Sequence, residues 1–340
     1  MHRMIRRPGA ALSMMALAFS AVALSPKIAD AQTLTGAGST FINPIMTQWI
    51  ASYKQATGVG INYQPIGSGG GINALINKTV NFAGSDAPMN AAEMAEAKAP
   101  VLHLPAVIGA VVIGYNIPGV RTGLHLSGPV LADIFLGKVT YWDDSQITRY
   151  NRGTRLPHAR IFLAHRSDGS GTTYIFTDYL AKVSGEWKSR VGVGKSVQWP
   201  EGLGGKGSEG VAGLLKTRPN SIGYVELAYA LQNGLTYAAV QNAKGKFIIP
   251  SAESASVAAE GVKLPPDLRA SLTNTPNPKG YPITGFTWLI VYRNTPEAAQ
   301  LKRFLDWVVS SGQSFTKPLA YAALPGGLRA HEAQMIASIR

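Results

Sequence analysis

The sequence predicts an α/β protein of two lobes, and three observations carry that prediction. Apolar runs of strand length alternate with apolar residues at helical spacing along the whole chain. Two longer apolar runs, near 106–116 and 285–292, read as strands that cross between two lobes and leave two connections between them. Three Gly/Ser/Thr-rich stretches each stand between a strand and a helix, and in such sheets these junctions gather at the carboxyl ends of the strands, facing one cleft.

The N-terminus reads as a processing segment and not as part of the fold. His2, Arg3, Arg6 and Arg7 give it a basic start, and Ala10 to Leu24 is an apolar run. That run is shorter than the ~18 residues of a membrane span. Ala29-Asp30-Ala31 then supplies a small-residue cleavage pattern, so residues 1–31 are expected to be a signal peptide; Ala21-Val22-Ala23 is a second, less well placed site. The full 340-residue chain has 46% hydrophobic and 15% charged residues, which fits a packed core and argues against disorder. It has no cysteine, so disulfides, thiolate metal sites and a lipid anchor on Cys are excluded. Removal of the leader takes Arg3, Arg6, Arg7, Lys27 and Asp30, four cations and one anion, from the formal net charge of +13 and leaves +10. For a chain exported to the periplasm this favours small anions or an acidic surface over nucleic acid; a generally solvated basic surface is the plainer alternative.

The first junction is Leu34-Thr35-Gly36-Ala37-Gly38-Ser39-Thr40-Phe41, followed by Ile42, Ile45, Trp49 and Tyr53 at helical spacing, with Pro44 in the first turn. This places Thr40 and Phe41 at a helix N-terminus. In the second, Ile61 and Tyr63 alternate as in a strand, Gly67-Ser68-Gly69-Gly70-Gly71 turns, and Ile72, Leu75 and Ile76 begin a helix, so Ser68 can offer its hydroxyl and nearby N–H groups. The third follows the strand Ile161 to Ala164: Arg166-Ser167-Asp168-Gly169-Ser170-Gly171-Thr172 leads into Ile175, Phe176, Tyr179, Leu180 and Val183. The first N–H groups of a helix lack internal partners and sit at the positive end of its dipole. Ser170, Gly171 and Thr172 at such an end, with Arg166 as a two-pronged cation held by Asp168, suit a tetrahedral oxyanion. A Ser-capped helix beside a surface ion pair is the alternative.

Between the second and third junctions, Val80 to Pro88 is a strand ending at Asp86. A carboxylate beside an anion pocket repels unless the anion carries a proton. Phosphate groups, with a second pKa of about 6, keep one and can donate it; sulfate cannot. A helix cap or surface acid is the alternative for Asp86. Val130 to Leu136 predicts a short helix, and Trp142 a core residue. Gly202 to Gly207 matches G-x-G-x-x-G but follows Trp199-Pro200 and not a clean strand, so a mobile loop is expected in place of a nucleotide site. Ser221 to Glu226 reads as a strand running into a helix, 251–281 as irregular surface excursions, and Leu301, Phe304, Leu305 and Val308 as an amphipathic helix.

Six of these motifs occur in one order: the 34–41 junction, Gly67-Ser68-Gly69-Gly70, Gly84-Ser85-Asp86-Ala87-Pro88, the 166–172 junction, Gly202 to Gly207, and Ile222-Gly223-Tyr224-Val225-Glu226. In that order, across 34–325, the chain resembles the periplasmic phosphate-binding proteins of high-affinity phosphate ABC importers. The resemblance implies a type II periplasmic binding protein fold, with lobe I formed by 32–112 and 286–340, lobe II by 113–285, and a hinge between them. It implies one dehydrated phosphate (HPO4 2− or H2PO4 −) in the closed cleft, no cofactor and no metal. Thr40 and Phe41 would give backbone N–H groups, Thr40 also its hydroxyl, and Ser68 its hydroxyl and amide. Asp86 would accept the phosphate proton, Arg166 would be the cationic ligand oriented by Asp168, and Ser170, Gly171 and Thr172 would supply the third helix end. The expected partners are the permease subunits of the importer with their ATPase, reached by a monomer that does not span the membrane. The chain departs from the pattern at His165, Ser167 and Ser39, where small or basic residues, and Ala in the last case, are common. Rival readings are a binder of another oxyanion on the same fold, a secreted phosphate-ester hydrolase, and a secreted adhesion or matrix role. Ser68 and Ser170 lack the flanking glycines of a nucleophile elbow, and His103, His125, His158, His165 and His331 lack metal-ligand spacing, which disfavours the enzyme.

Overall fold

The structure is a computed structural model that describes Met1 and residues 33–340; the expected leader lies outside the described residues apart from Met1. The first half of the main sheet is built by three strand–helix units: β1 (Leu34–Gly38) with α1 (Asn43–Thr57), β2 (Ile61–Gln64) with α2 (Ser68–Ile76), and β3 (Phe82–Ser85) with α3 (Ala91–Glu96). β2 and β3 both run parallel to β1, which lies between them. Pro44 sits in the first turn of α1, and Gly58, at φ 75°, ends the helix in the left-handed conformation that lets its N–H reach the Lys54 carbonyl. Trp49 and Tyr53 of α1 are buried, Tyr53 edge-on to Phe304 and Trp307.

β4 (Val101–Asn116) ties the halves together. Its first part, 101–110, pairs antiparallel with β12 (Thr284–Tyr292), and its second, 111–116, with β8 (Ser221–Glu226). It is a near-continuous apolar run because both faces are covered. After β4 come β5 (His125–Leu126), α4 (Gly128–Phe135) and α5 (Ser145–Thr148), then β6 (Phe162–Arg166), α6 (Gly171–Val183), α7 (Gly185–Arg190), β7 (Leu203–Gly205) and α8 (Gly207–Thr217). β8 is followed by α9 (Leu227–Gln232), β9 (Thr236–Tyr237), β10 (Ala239–Gln241), β11 (Phe247–Ile248) and α10 (Ala252–Ala259). Beyond β12 the chain closes with α11 (Ala298–Val309) and α12 (Gly326–Ala337). The main sheet has the order β2-β1-β3-β12-β4-β8-β6-β7, with β9 also on β4, and β11-β10-β5 form a small second sheet. β4 thus changes partner between Ala110 and Val111, from β12 to β8. Among the described residues no helix is long and apolar enough to cross a membrane.

Two expectations are corrected. The 202–207 stretch is not a loop: Leu203–Gly205 pairs in parallel with Ala164, His165 and Arg166, and Gly207 begins α8. The mobile-loop reading followed from four glycines with low strand propensity, but the β6 edge supplies the ladder they cannot specify locally. Residues 251–281 are not irregular throughout, since 252–259 is helical, with Ser251 capping the Ser254 N–H and Ser254 returning the bond to the Ser251 N–H. The expected helix at 130–136 is α4, and Trp142 is fully buried.

Candidate functional site

Arg166 is the last residue of β6, and its place is set from beneath. Its N–H donates to the Tyr224 hydroxyl at 3.0 Å, which also bonds Thr173 Oγ1 at 2.6 Å. Tyr224 itself is stacked in a buried cluster with Phe176 and Trp199. The guanidinium is 2% exposed. Nε and Nη2 donate to the two Asp168 oxygens at 2.7 and 2.6 Å, and Nη1 reaches Thr172 Oγ1 at 3.3 Å. Asp168 also accepts the Gly207 N–H at 3.0 Å. Burial alone would raise the Asp168 pKa; the Arg166 hydrogen bonds and charge, with the Gly207 N–H, outweigh it and hold the carboxyl below its ordinary value.

Ser170 is the N-cap of α6, as its sequence position predicts. Its Oγ accepts the Thr173 N–H and its carbonyl the Tyr174 N–H, both at 3.1 Å. The N–H groups of Gly171 and Thr172 are left without an acceptor among the described residues. The Ser170 N–H goes to the Lys195 carbonyl at 2.8 Å.

Asp86 stands directly after β3 and is 1% exposed. Ser39 Oγ donates toward both of its oxygens, at 2.6 Å to Oδ1 and 2.8 Å to Oδ2, and Thr287 Oγ1 donates to Oδ1 at 2.7 Å. Ser68 Oγ lies 3.5 Å from Oδ2 and accepts the Asp86 N–H at 3.2 Å. Burial pushes the Asp86 pKa up to about 6, against the opposing pull of the Ser39 and Thr287 hydroxyls, Arg166 and Ser68.

Thr40 and Phe41 precede the α1 cap residue, Ile42, so they form the loop before the helix and not its first turn. Thr40 is gripped by residues of α8 and α9. Its Oγ1 bonds Ser208 Oγ at 2.9 Å and accepts the Ser208 N–H at 3.1 Å, while the Tyr229 hydroxyl donates to its carbonyl at 2.8 Å. The Phe41 N–H donates to Ser39 Oγ at 3.0 Å, and the Phe41 carbonyl accepts from Tyr321 at 2.6 Å.

Two glycines permit close approaches at the site. A Cβ on Gly171 would stand 2.5 Å from Ser68 Oγ and 2.7 Å from the Asp86 N, so only glycine lets the α6 terminus approach those groups. Gly67, at φ 87°, lies where a Cβ would stand 2.2 Å from Asp168 Oδ2. Ser68, Asp86 and Gly171 are therefore neighbours, Arg166 joins them through Thr172, and Thr40 is tied to the N-terminus of α8, which Asp168 caps. Of the departures at Arg166, His165 stacks on Trp199 with ring centroids 4.9 Å apart and bonds the Arg166 carbonyl at 3.0 Å. Sequence reasoning missed Thr287, Ser208 and Tyr229, and noted Ser39 only as a departure. A set with a guanidinium, hydroxyls and two free helix N–H groups facing one buried carboxyl can hold an oxyanion that itself carries a proton.

A family model described as a PBP superfamily domain matches residues 25–311. The chain is 47% identical over 301 residues to phosphate-binding protein PstS of Xylella fastidiosa, covering 87% of this chain and 82% of the relative. It is 44% identical over 318 residues to phosphate-binding protein PstS of Pasteurella multocida, covering 92% and 91%. Among solved structures it is similar in fold to a high-affinity periplasmic phosphate-binding protein bound with phosphate, with TM-score 0.73 and 24% identity over 88% of this chain and 92% of that one. The phosphate-binding protein of Stenotrophomonas maltophilia gives TM-score 0.69 and 19% identity over 89% and 93%. With a matching superfamily model and relatives of this similarity along most of its length, the chain belongs to the PBP superfamily, in the family of the phosphate-binding proteins PstS.

Proposed function

We propose that the chain binds one inorganic phosphate between its lobes, 32–112 with 286–340 on one side and 113–285 on the other, and delivers it to an ABC importer. The switch of β4 from β12 to β8 between Ala110 and Val111 supports that division. It acts in the periplasm as a monomer after loss of residues 1–31, and the permease subunits with their ATPase are its partners. In this reading it is a carrier and not an enzyme, which the phosphate-binding relatives support.

The observation that carries this reading is the buried Asp86 within contact of Ser68 and Gly171. Arg166, the Ser68 hydroxyl and the N–H groups of Ser68, Gly171 and Thr172 supply donors, with Thr40 and Ser170 completing the ring; the Phe41 N–H, expected among them, is already given to Ser39 Oγ at 3.0 Å. Asp86 supplies the acceptor, which a phosphate proton satisfies and sulfate leaves facing an unprotonated oxygen. Open lobes sample closure about the crossing strands, and a ligand held by both lobes shifts that equilibrium toward the closed form.

Calorimetry with phosphate and sulfate on the leader-free chain tests it, beside Arg166→Ala and Asp86→Asn. Wild type binds phosphate and not sulfate at pH 8; Arg166→Ala loses about 100-fold or more in phosphate affinity, as expected for removing a buried charged donor; Asp86→Asn gains sulfate binding. A folded wild-type protein without phosphate binding would refute the assignment.

A further inference from the structure

Asp86 can discriminate by proton only while it is ionised, yet its surroundings work against that. It is 1% exposed. Its charge pushes up the pKa of Glu226 at the end of β8, of Tyr63 on β2 and of Tyr321 before α12, while burial opposes its own ionisation and Arg166 is the charged group that favours it. What offsets burial at contact distance is a pair of hydroxyls from separate elements. Ser39 comes from the β1–α1 loop. Its oxygen accepts the Phe41 N–H, which aims the hydroxyl hydrogen away from that amide and toward the carboxylate. Tyr63 fixes the same loop by donating to the Ser39 carbonyl at 2.9 Å. Thr287 comes from β12, is fully buried, and has Asp86 Oδ1 as its hydroxyl partner. Oδ1 therefore takes Thr287, and Oδ2 lies beside Ser68.

We propose that Ser39 and Thr287 are specificity-determining residues: their hydroxyls keep Asp86 in its proton-accepting form and thereby keep fully ionised tetrahedral anions such as sulfate out of the cleft. This rests on the phosphate reading above. Donors to a carboxylate favour its ionised state. With either hydroxyl gone, Asp86 takes up a proton at higher pH, and a protonated Asp86 donates to sulfate as well as it accepts from phosphate. The selectivity of the cleft then becomes a function of pH set by two residues outside the ring of direct ligands.

The test uses the chain from residue 32 onward, which carries every described element. The Asp86 carboxyl is titrated by carbon-13 NMR in ligand-free wild type, Ser39→Ala, Thr287→Val and Ser39→Thr, and sulfate and phosphate affinities are measured by calorimetry from pH 4.5 to 8.5. Each hydroxyl deletion raises the titration midpoint by about one pH unit, the size of one charge-assisted hydrogen bond. The onset of sulfate binding rises with it, and Ser39→Thr behaves as wild type. At pH 6.5 the ratio of sulfate to phosphate affinity increases about tenfold in either deletion, the same one-unit shift expressed in binding. The two deletions lie on different elements, so a folding defect in one leaves the other to decide. Unchanged midpoints, or midpoints that move without sulfate binding, in a protein that still binds phosphate overturn this inference and leave the phosphate reading standing. Wild type that binds no phosphate at any of these pH values overturns both.

Discussion

Asp86 and Asp168 are carboxylates at one cleft, and their neighbours push them in opposite directions. Asp168 sits in the fork of Arg166 at 2.6 and 2.7 Å and caps Gly207, and it is held below its ordinary pKa. Asp86 has hydroxyls for partners and is raised to about 6. The difference separates two tasks. Asp168 is permanently ionised and holds a cation still; Asp86 stays within reach of neutral pH, where the presence of a proton on an anion can decide binding. A guanidinium paired with Asp86 would have fixed its charge.

The largest effect is expected from breaking the first pairing. Asp168→Ala leaves a guanidinium that is 2% exposed with Thr172 at 3.3 Å as its remaining side-chain partner, and it uncaps α8. Removing one partner of a buried pair costs about 3–5 kcal/mol, and Asp168, which retains some exposure, belongs at the lower end, about 3 kcal/mol. Urea unfolding of the ligand-free chain should show that loss. Saturating phosphate should recover part of it, because the anion supplies charge beside Arg166. Equal destabilisation with and without phosphate would place Arg166 away from the anion.

Asp86→Asn should act with the opposite sign. A carboxyl whose folded pKa is near 6 and unfolded pKa near 3.8 binds more protons when folded between those values, so stability falls as pH rises from about 3.8 to 6 and stays reduced above. About two pKa units correspond to about 3 kcal/mol. The asparagine variant escapes that fall. Ligand-free Asp86→Asn should therefore be more stable than wild type at pH 8, by up to about 3 kcal/mol, with the difference shrinking toward pH 4. Denaturation at both pH values checks it, and a difference independent of pH would remove the claim that burial of charge at Asp86 opposes folding.

What was legible in the sequence follows the same division. Asp168, Arg166, Ser170 and Thr172 lie within seven residues, and a helix start fixes their geometry, so residue types and spacing sufficed. The three strand–helix junctions were legible for the same reason. The surroundings of Asp86 were not: Ser39 and Thr287 are 47 and 201 positions away, and the sheet order that brings β12 beside β3 leaves no periodic trace. Thr40, bound to Ser208 and Tyr229 across 168 and 189 positions, is a second case. Ser39 did leave a signal, a hydroxyl residue in a glycine-rich loop, but its target could not be read. α10 was missed because its cap uses Ser254 where glutamate or glutamine would mark a capping box, and its Ala/Ser sequence carries little apolar contrast.

The smallest effect sharpens the comparison by moving to an ion pair that joins lobes. Lys195 Nζ donates to Glu93 Oε2 at 2.7 Å, with side chains 14% and 16% exposed, beside a groove of about 540 Å³ lined by Gly69, Asn90 and Gly169. Glu93 belongs to α3 of the first lobe, where Oε2 also accepts the Asn90 N–H at 2.9 Å, and Lys195 belongs to the second lobe, where its carbonyl takes the Ser170 N–H. In the proposed division Arg166 and Asp168 share a lobe and Lys195 and Glu93 do not, so opening of the cleft is expected to part only the second pair. Lys195→Met keeps the backbone carbonyl that holds Ser170 and the capping box of α3, so its effect should fall on the open–closed equilibrium alone. A loss of about 1 kcal/mol, the upper range for a solvent-accessible pair, corresponds to about fivefold faster phosphate release with the association rate unchanged. Stopped-flow release from wild type, Lys195→Met, Glu93→Gln and the double variant separates the pair from its parts. Additive effects in that cycle would show that the two side chains do not cooperate in closure, whereas a double variant no faster than either single one places the contact in the closed state.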